Sequence, residues 1–69
     1  MKFNFTKLLG RMKEYGYTQE QLAKAIGISE ATLNLKLKNK SRFRSDEMLA
    51  ICKVLSIPTS EINEYFFAV

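Results

Sequence analysis

Apolar residues recur along this chain at spacings of three and four, in runs short enough to make five separate helices. Phe5, Leu8, Leu9 and Met12 predict a first helix, capped by Asn4 or Thr6 and running to about Tyr15, where Gly16 closes it. Gly10 inside it lowers helix propensity and is expected to mark a close helix contact. Leu22, Ala23 and Ile26 predict a second helix from Thr18 to Ile26. Leu33 and Leu37 predict a third, from Ser29 to about Asn39, with Asn39 taking the left-handed conformation at its exit. Met48, Leu49, Ile51, Cys52 and Leu55 supply the buried side of a fourth helix, capped by Ser45, with Asp46 and Glu47 in its positive first turn. Ile57-Pro58-Thr59 breaks the chain. Ile62 and Phe66 then set a last short helix from Glu61 to about Phe67. No segment alternates with period two, so no strand is expected. The pattern predicts an all-α fold, a compact bundle of five short helices in a single domain over 1–69.

The joint between the second and third helices is the most closely specified part. Thr18 is a good N-cap, and Gln21 three residues later completes a capping box, with Tyr17 and Leu22 spaced as a hydrophobic staple. Gly27 ends this helix in a left-handed conformation at little steric cost. Ser29 at once offers the next N-cap, with Ile28 and Leu33 as a second staple. Helices with so little chain between them must cross steeply. That is a helix-turn-helix, the shape that projects its second helix into the DNA major groove.

Advancing about 100° per residue from Leu33 puts Leu37 about 40° away, so the pair packs inward against Leu22 and Ile26. Ala31, Leu35 and Lys38 fall on the opposite side, flanked by Thr32 and Asn34. Asn34 suits a bidentate pair with adenine, Ala31 and Leu35 suit a thymine methyl, and Glu30 suits a cytosine amino group or the helix dipole. Lys38 fits phosphate as well as guanine. The competing reading of this face is an ordinary solvated one, in which only the outward Leu35 is unusual.

Charge strengthens the first reading. The net charge is +4, and five of the eleven cations, Lys36, Lys38, Lys40, Arg42 and Arg44, fall within nine residues that hold no acid. A cation run beside a groove helix suits phosphate, so Lys36, Lys40, Arg42 and Arg44 are expected to clamp the DNA backbone together with Thr32. Gln19, where the second helix begins, is a further phosphate candidate.

These residues resemble the phage repressor/Cro-type helix-turn-helix family, also called the xenobiotic-response-element family of bacterial regulators. The resemblance rests on Thr18-Gln19-Glu20-Gln21-Leu22-Ala23, Ile26-Gly27-Ile28-Ser29 and Thr32-Leu33. The exit Asn39-Lys40, the pattern Leu49-Ile51-Leu55, and Ile57-Pro58 followed by Ile62 and Tyr65-Phe66-Phe67 also fit. It runs from about Phe5 to Phe67 and looks most like short Cro-like proteins of phages and prophages in Gram-positive bacteria. It implies a lambda-repressor-like five-helix domain, operator DNA as ligand and transcription control as function. It implies base contacts from Ser29, Glu30, Ala31, Asn34, Leu35 and Lys38, and a phosphate contact from Gln19. It also implies a homodimer on a near-palindromic operator, with recognition helices about 34 Å apart. Two positions depart from the pattern. Lys36 stands where an apolar residue is common, so that Leu37 is expected to take the inward role, and Lys38-Asn39 replaces the usual glycine after the recognition helix.

Other function classes fit poorly. The chain has no histidine and one cysteine, so it lacks an imidazole base and an internal disulfide framework. Cys52 falls on the apolar side of its helix, where a buried thiol is the ordinary outcome. No carboxylate cluster suggests a metal, and no glycine-rich loop suggests a nucleotide, so no cofactor, small-molecule substrate or catalysis is expected. No apolar run can span a bilayer, and the start shows no signal-peptide core. The expected location is the bacterial cytoplasm, at the nucleoid. The serious rival is a protein-binding module, such as an anti-repressor, that keeps the helical fold and uses Leu35 and the aromatic tail for a protein partner.

Overall fold

The computed structural model describes residues 2–69; Met1, the first residue of the predicted domain, lies outside them. Helices α1 (Thr6–Glu14), α2 (Gln19–Ile26), α3 (Glu30–Leu37) and α4 (Ser45–Val54) follow one another. A 3-10 turn at Thr59–Glu61 then leads into α5 (Ile62–Phe66). No strand occurs among the described residues. α2 packs against both α3 and α4, while α5 packs against α1 and α4.

Each of the first four helices stops on a residue with positive φ: Gly16 (74°), Gly27 (82°), Asn39 (63°) and Ser56 (53°). After each of them the next amide reaches back five residues. Tyr17 donates to the Met12 carbonyl, Ile28 to Ala23, Lys40 to Leu35 and Ile57 to Cys52, at 2.8–3.0 Å. This closure satisfies carbonyls that a helix end otherwise leaves open. The first three stops are those expected from the glycines and the asparagine. Ser56 carries no such signal, and Arg11 accounts for how it is held. Its guanidinium donates to the carbonyls of Leu55 (2.9 Å) and Ser56 (2.7 Å) and lies 4.7 Å from the centre of the Tyr15 ring. A cation on the last carbonyls of α4 also meets the negative end of that helix.

Leu8, Leu22, Leu33, Ile51, Leu55 and Phe66 are fully buried and form the centre of the core. Two leucines expected beside them are not there. Leu9 and Leu49 are 43% and 53% exposed. Leu9 sits about 100° round α1 from Leu8, and Leu49 about 160° round α4 from Ile51, so each lies off its helix's inward stripe. Tyr65 joins the core with Phe66, whereas Phe67 and Val69 remain exposed. Phe43 anchors the loop after α3 to the core, its ring packed edge to face on Phe5 (5.4 Å between centroids) and Phe66 (5.2 Å).

Gly10 meets nothing: a Cβ built there has no atom within 4 Å, so the expected close helix contact is absent. Gly10→Ala is therefore expected to raise stability by about 0.5–1 kcal/mol through helix propensity alone. A higher urea midpoint with an unchanged slope would show it. A lower midpoint would mean that the glycine serves a contact.

Asn39 does more than end α3. Its Oδ1 accepts from the Phe3 amide and its Nδ2 donates to the Phe3 carbonyl, both at 2.8 Å, which ties the N-terminal segment across the helix exit. Asn39→Gly keeps the left-handed backbone but loses this clamp, while Asn39→Ala loses both. Stability is expected to fall from the natural residue to Gly to Ala, with about 1 kcal/mol separating the last two. If the Gly variant matched the natural chain in chemical unfolding, the clamp would contribute nothing.

Candidate functional site

The corner between α2 and α3 is built by two N-caps, the first of them reciprocal. Thr18 Oγ1 accepts from the Gln21 amide (3.1 Å), and Gln21 Oε1 accepts from the Thr18 amide (3.0 Å). Across the three residues Gly27–Ser29, Ser29 Oγ accepts from the Thr32 amide (3.1 Å) and donates to Thr32 Oγ1 (2.8 Å). Each cap is worth about 1 kcal/mol and fixes where its helix starts. The two hydroxyls offered as DNA contacts thus already bond one another.

The outward face of α3 carries exposed Ala31, Leu35 and Lys38, with Ser29 and Glu30 exposed at its start and half-buried Thr32 and Asn34 at its sides. Leu35, 46% exposed, sits among them as the large apolar member. Asn34 Nδ2 donates to Gln19 Oε1 at 3.1 Å, so a base candidate and a phosphate candidate are joined across the corner. The bond occupies one of the two amide N–H donors of Asn34 and fixes the direction of its side chain.

Lys36 does not lie on this face. It is 5% exposed, and its Nζ sits 2.8 Å from Glu47 Oε1 and 2.9 Å from the Arg42 carbonyl. The expected phosphate clamp therefore loses Lys36. The cause is angular: Lys36 falls about 60° from Leu33 on the side away from Leu37, so both flanks of the stripe point inward. Leu37 is half-buried and packs against the core as expected, so Lys36 and Leu37 both turn inward.

Glu47, which the sequence marked only for its place in the first turn of α4, is the other half of this arrangement. It falls about 40° round α4 from Ile51, an inward position. The same Oε1 that meets Lys36 accepts from the Arg44 amide at 2.8 Å and so caps α4. Arg44, not Ser45, is thereby the N-cap residue, and Ser45 is already helical. Burial pushes the Glu47 carboxyl up, but the Arg44 and Lys36 hydrogen bonds and the Lys36 charge outweigh it and hold the group below its ordinary value. Lys36 and Glu47 together grip the loop at two points, the Arg42 carbonyl and the Arg44 amide. With those two backbone groups held, the arginine side chains are directed outward, and both residues are exposed.

Among the outward cations, Arg44 pairs at 3.4 Å with Asp46, both side chains more than two-thirds exposed. Lys38, Lys40 and Arg42 make no ion pair among the described residues. The structure thus brings Leu35, Lys38 and Asn34 together with Gln19 on the corner and places Lys40, Arg42 and Arg44 on the loop that follows. Cys52 is buried, which pushes its thiol up, in keeping with a packing role. No helix among the described residues is long and apolar enough to cross a membrane.

Residues 1–69 match the family described as "Protein of unknown function (DUF739)". The chain belongs to this family. The fold of this DUF739 chain is similar to the solution structure of the modulator of repression (MOR) of the temperate bacteriophage TP901-1 from Lactococcus lactis. The two are 39% identical with a TM-score of 0.81, over 97% of this chain and 90% of that one. The five-helix all-α architecture expected from the sequence is thus shared with a small phage protein of known structure. Among curated proteins none matches the DUF739 chain.

Proposed function

We propose that this DUF739 chain is a phage or prophage regulator of repression, and that it binds operator DNA with α3 in the major groove. The observation that carries the reading is the α2–α3 corner itself. Two short helices, α2 closed by a reciprocal capping box and α3 by the Ser29 cap, present Ala31, Asn34, Leu35 and Lys38 on one accessible face, with Lys40 and Arg42 unpaired on the adjoining loop. The name of the similar phage protein, a modulator of repression, supports a regulatory role, and the resemblance to the repressor/Cro pattern supports the DNA-binding one. In this reading the protein works as a homodimer on a near-palindromic site in the bacterial cytoplasm, and its role is binding, not catalysis.

A second reading is favoured by the exposed Leu35, the withdrawal of Lys36 and the pairing of Arg44. In it the same face grips a protein, such as a phage repressor. Fluorescence anisotropy of a labelled mixed-sequence duplex at about 50 and 200 mM salt tests the first reading. Binding near micromolar that weakens by an order of magnitude or more with salt supports it. No binding at the lower salt overturns it, and titration of a labelled repressor then tests the second.

A further inference from the structure

The loop after α3, the N-terminal segment and α5 together leave a cavity of about 410 Å³ that no outward residue of α3 lines. Phe3, Phe43, Met48, Phe66 and Phe67 form its apolar surface, and Arg42 stands on it as the charged residue. Buried Phe66 is part of the core, but Phe67 is 44% exposed, so apolar area is left facing the solvent.

The apolar walls are fixed in advance. Phe3 is held through both its backbone polar groups by Asn39, the Asn4 amide donates to the Ala68 carbonyl at 2.7 Å, and the Phe3 and Phe67 rings meet edge to face at 5.5 Å. A site whose walls are pinned by hydrogen bonds loses little freedom when filled, while the thioether of Met48 can adjust to what enters. No acid lines the cavity, and Arg42 makes no ion pair among the described residues.

We propose that this groove docks an acidic segment of a protein partner, which inserts an aromatic or branched apolar side chain between Phe43, Met48 and Phe67 and sets a carboxylate against Arg42. The volume suits one or two such side chains, and an apolar anchor in a pocket with a charged group at its edge is how short segments gain both affinity and direction. The charge selects the partner: an acidic segment pairs with Arg42, whereas a basic one meets an unopposed guanidinium. The groove lies beside the α3 face and shares with the DNA-binding reading only Arg42, which would serve one ligand at a time, and its test needs neither DNA nor a repressor.

The probes are N-acetylphenylalanine, its uncharged amide and phenethylammonium, titrated into the ¹⁵N- and methyl-labelled protein by NMR. The carboxylate is expected to shift Phe3, Phe43, Met48 and Phe67 saturably, with a dissociation constant of about 1 mM. The neutral amide should bind the same residues about threefold more weakly, and the ammonium more weakly still. Arg42→Gln should abolish the preference for the carboxylate while the amide binds as before. Equal affinity for the three probes, or shifts that never saturate at the groove, would overturn the proposal.

Discussion

Glu47→Ala is expected to destabilise this protein by about 3–5 kcal/mol, enough to unfold much of a domain this small. The change removes the partner of Lys36, whose ammonium is buried, and strips the Arg44 amide of its acceptor at the start of α4. An unpaired buried charge is far worse than none. Lys36→Met with Glu47→Leu is therefore expected to recover much of the loss of either single variant, short of the lost α4 cap and the lost bond to the Arg42 carbonyl. Urea unfolding followed by circular dichroism checks both statements. Single variants that cost under about 1 kcal/mol would show that the pair contributes no more than a surface contact. The same contacts set a pH dependence. Because the folded carboxyl titrates below its unfolded value, its contribution is complete at neutral pH and disappears as acid carries the solution down through the folded pKa. The thermal midpoint should fall on acidification below about pH 4.5, and fall less in the double variant.

That ion pair also shows how far the sequence could be read. The corner was legible because its signals are local: Thr18, Gln21, Gly27 and Ser29 each do the one thing their chemistry favours at that position, and the structure has every one of those bonds. Where the structure departs from the pattern, angle outranks residue type. Leu9 and Leu49 are apolar but lie off the inward stripes and are exposed, whereas Lys36 and Glu47 are charged but lie within them and are buried. On the helical wheel alone, Lys36 and Glu47 stand as near the stripe centres as many residues of the core. What no wheel contains is that two such charges, on different helices, face each other. Arg11 capping α4 and Asn39 gripping Phe3 are hidden for the same reason, since each joins residues about forty apart.

Replacing Lys40 and Arg42 with Gln is expected to weaken binding to mixed-sequence duplex about a hundredfold near 0.1 M salt. Each phosphate contact contributes about 0.9 to the salt slope, so the slope should become shallower by about 2. Both residues are exposed and make no ion pair, so their removal leaves the fold intact, which the thermal midpoint will confirm. Arg44 is the informative third position. If its guanidinium stays on Asp46, Arg44→Gln adds nothing to the double variant. If phosphate displaces Asp46, the slope drops by a further unit and affinity falls about tenfold more. Leu35→Asp separates the two functional readings. A carboxylate facing the groove repels phosphate and weakens every duplex, with the loss shrinking as salt rises. On a protein partner the same change removes an apolar contact, and that loss persists at high salt because burial, unlike the attraction between exposed charges, is not screened. A Leu35→Asp defect that persists at 1 M salt, together with Gln variants that bind as the natural chain does, would move the function of α3 from DNA to a protein.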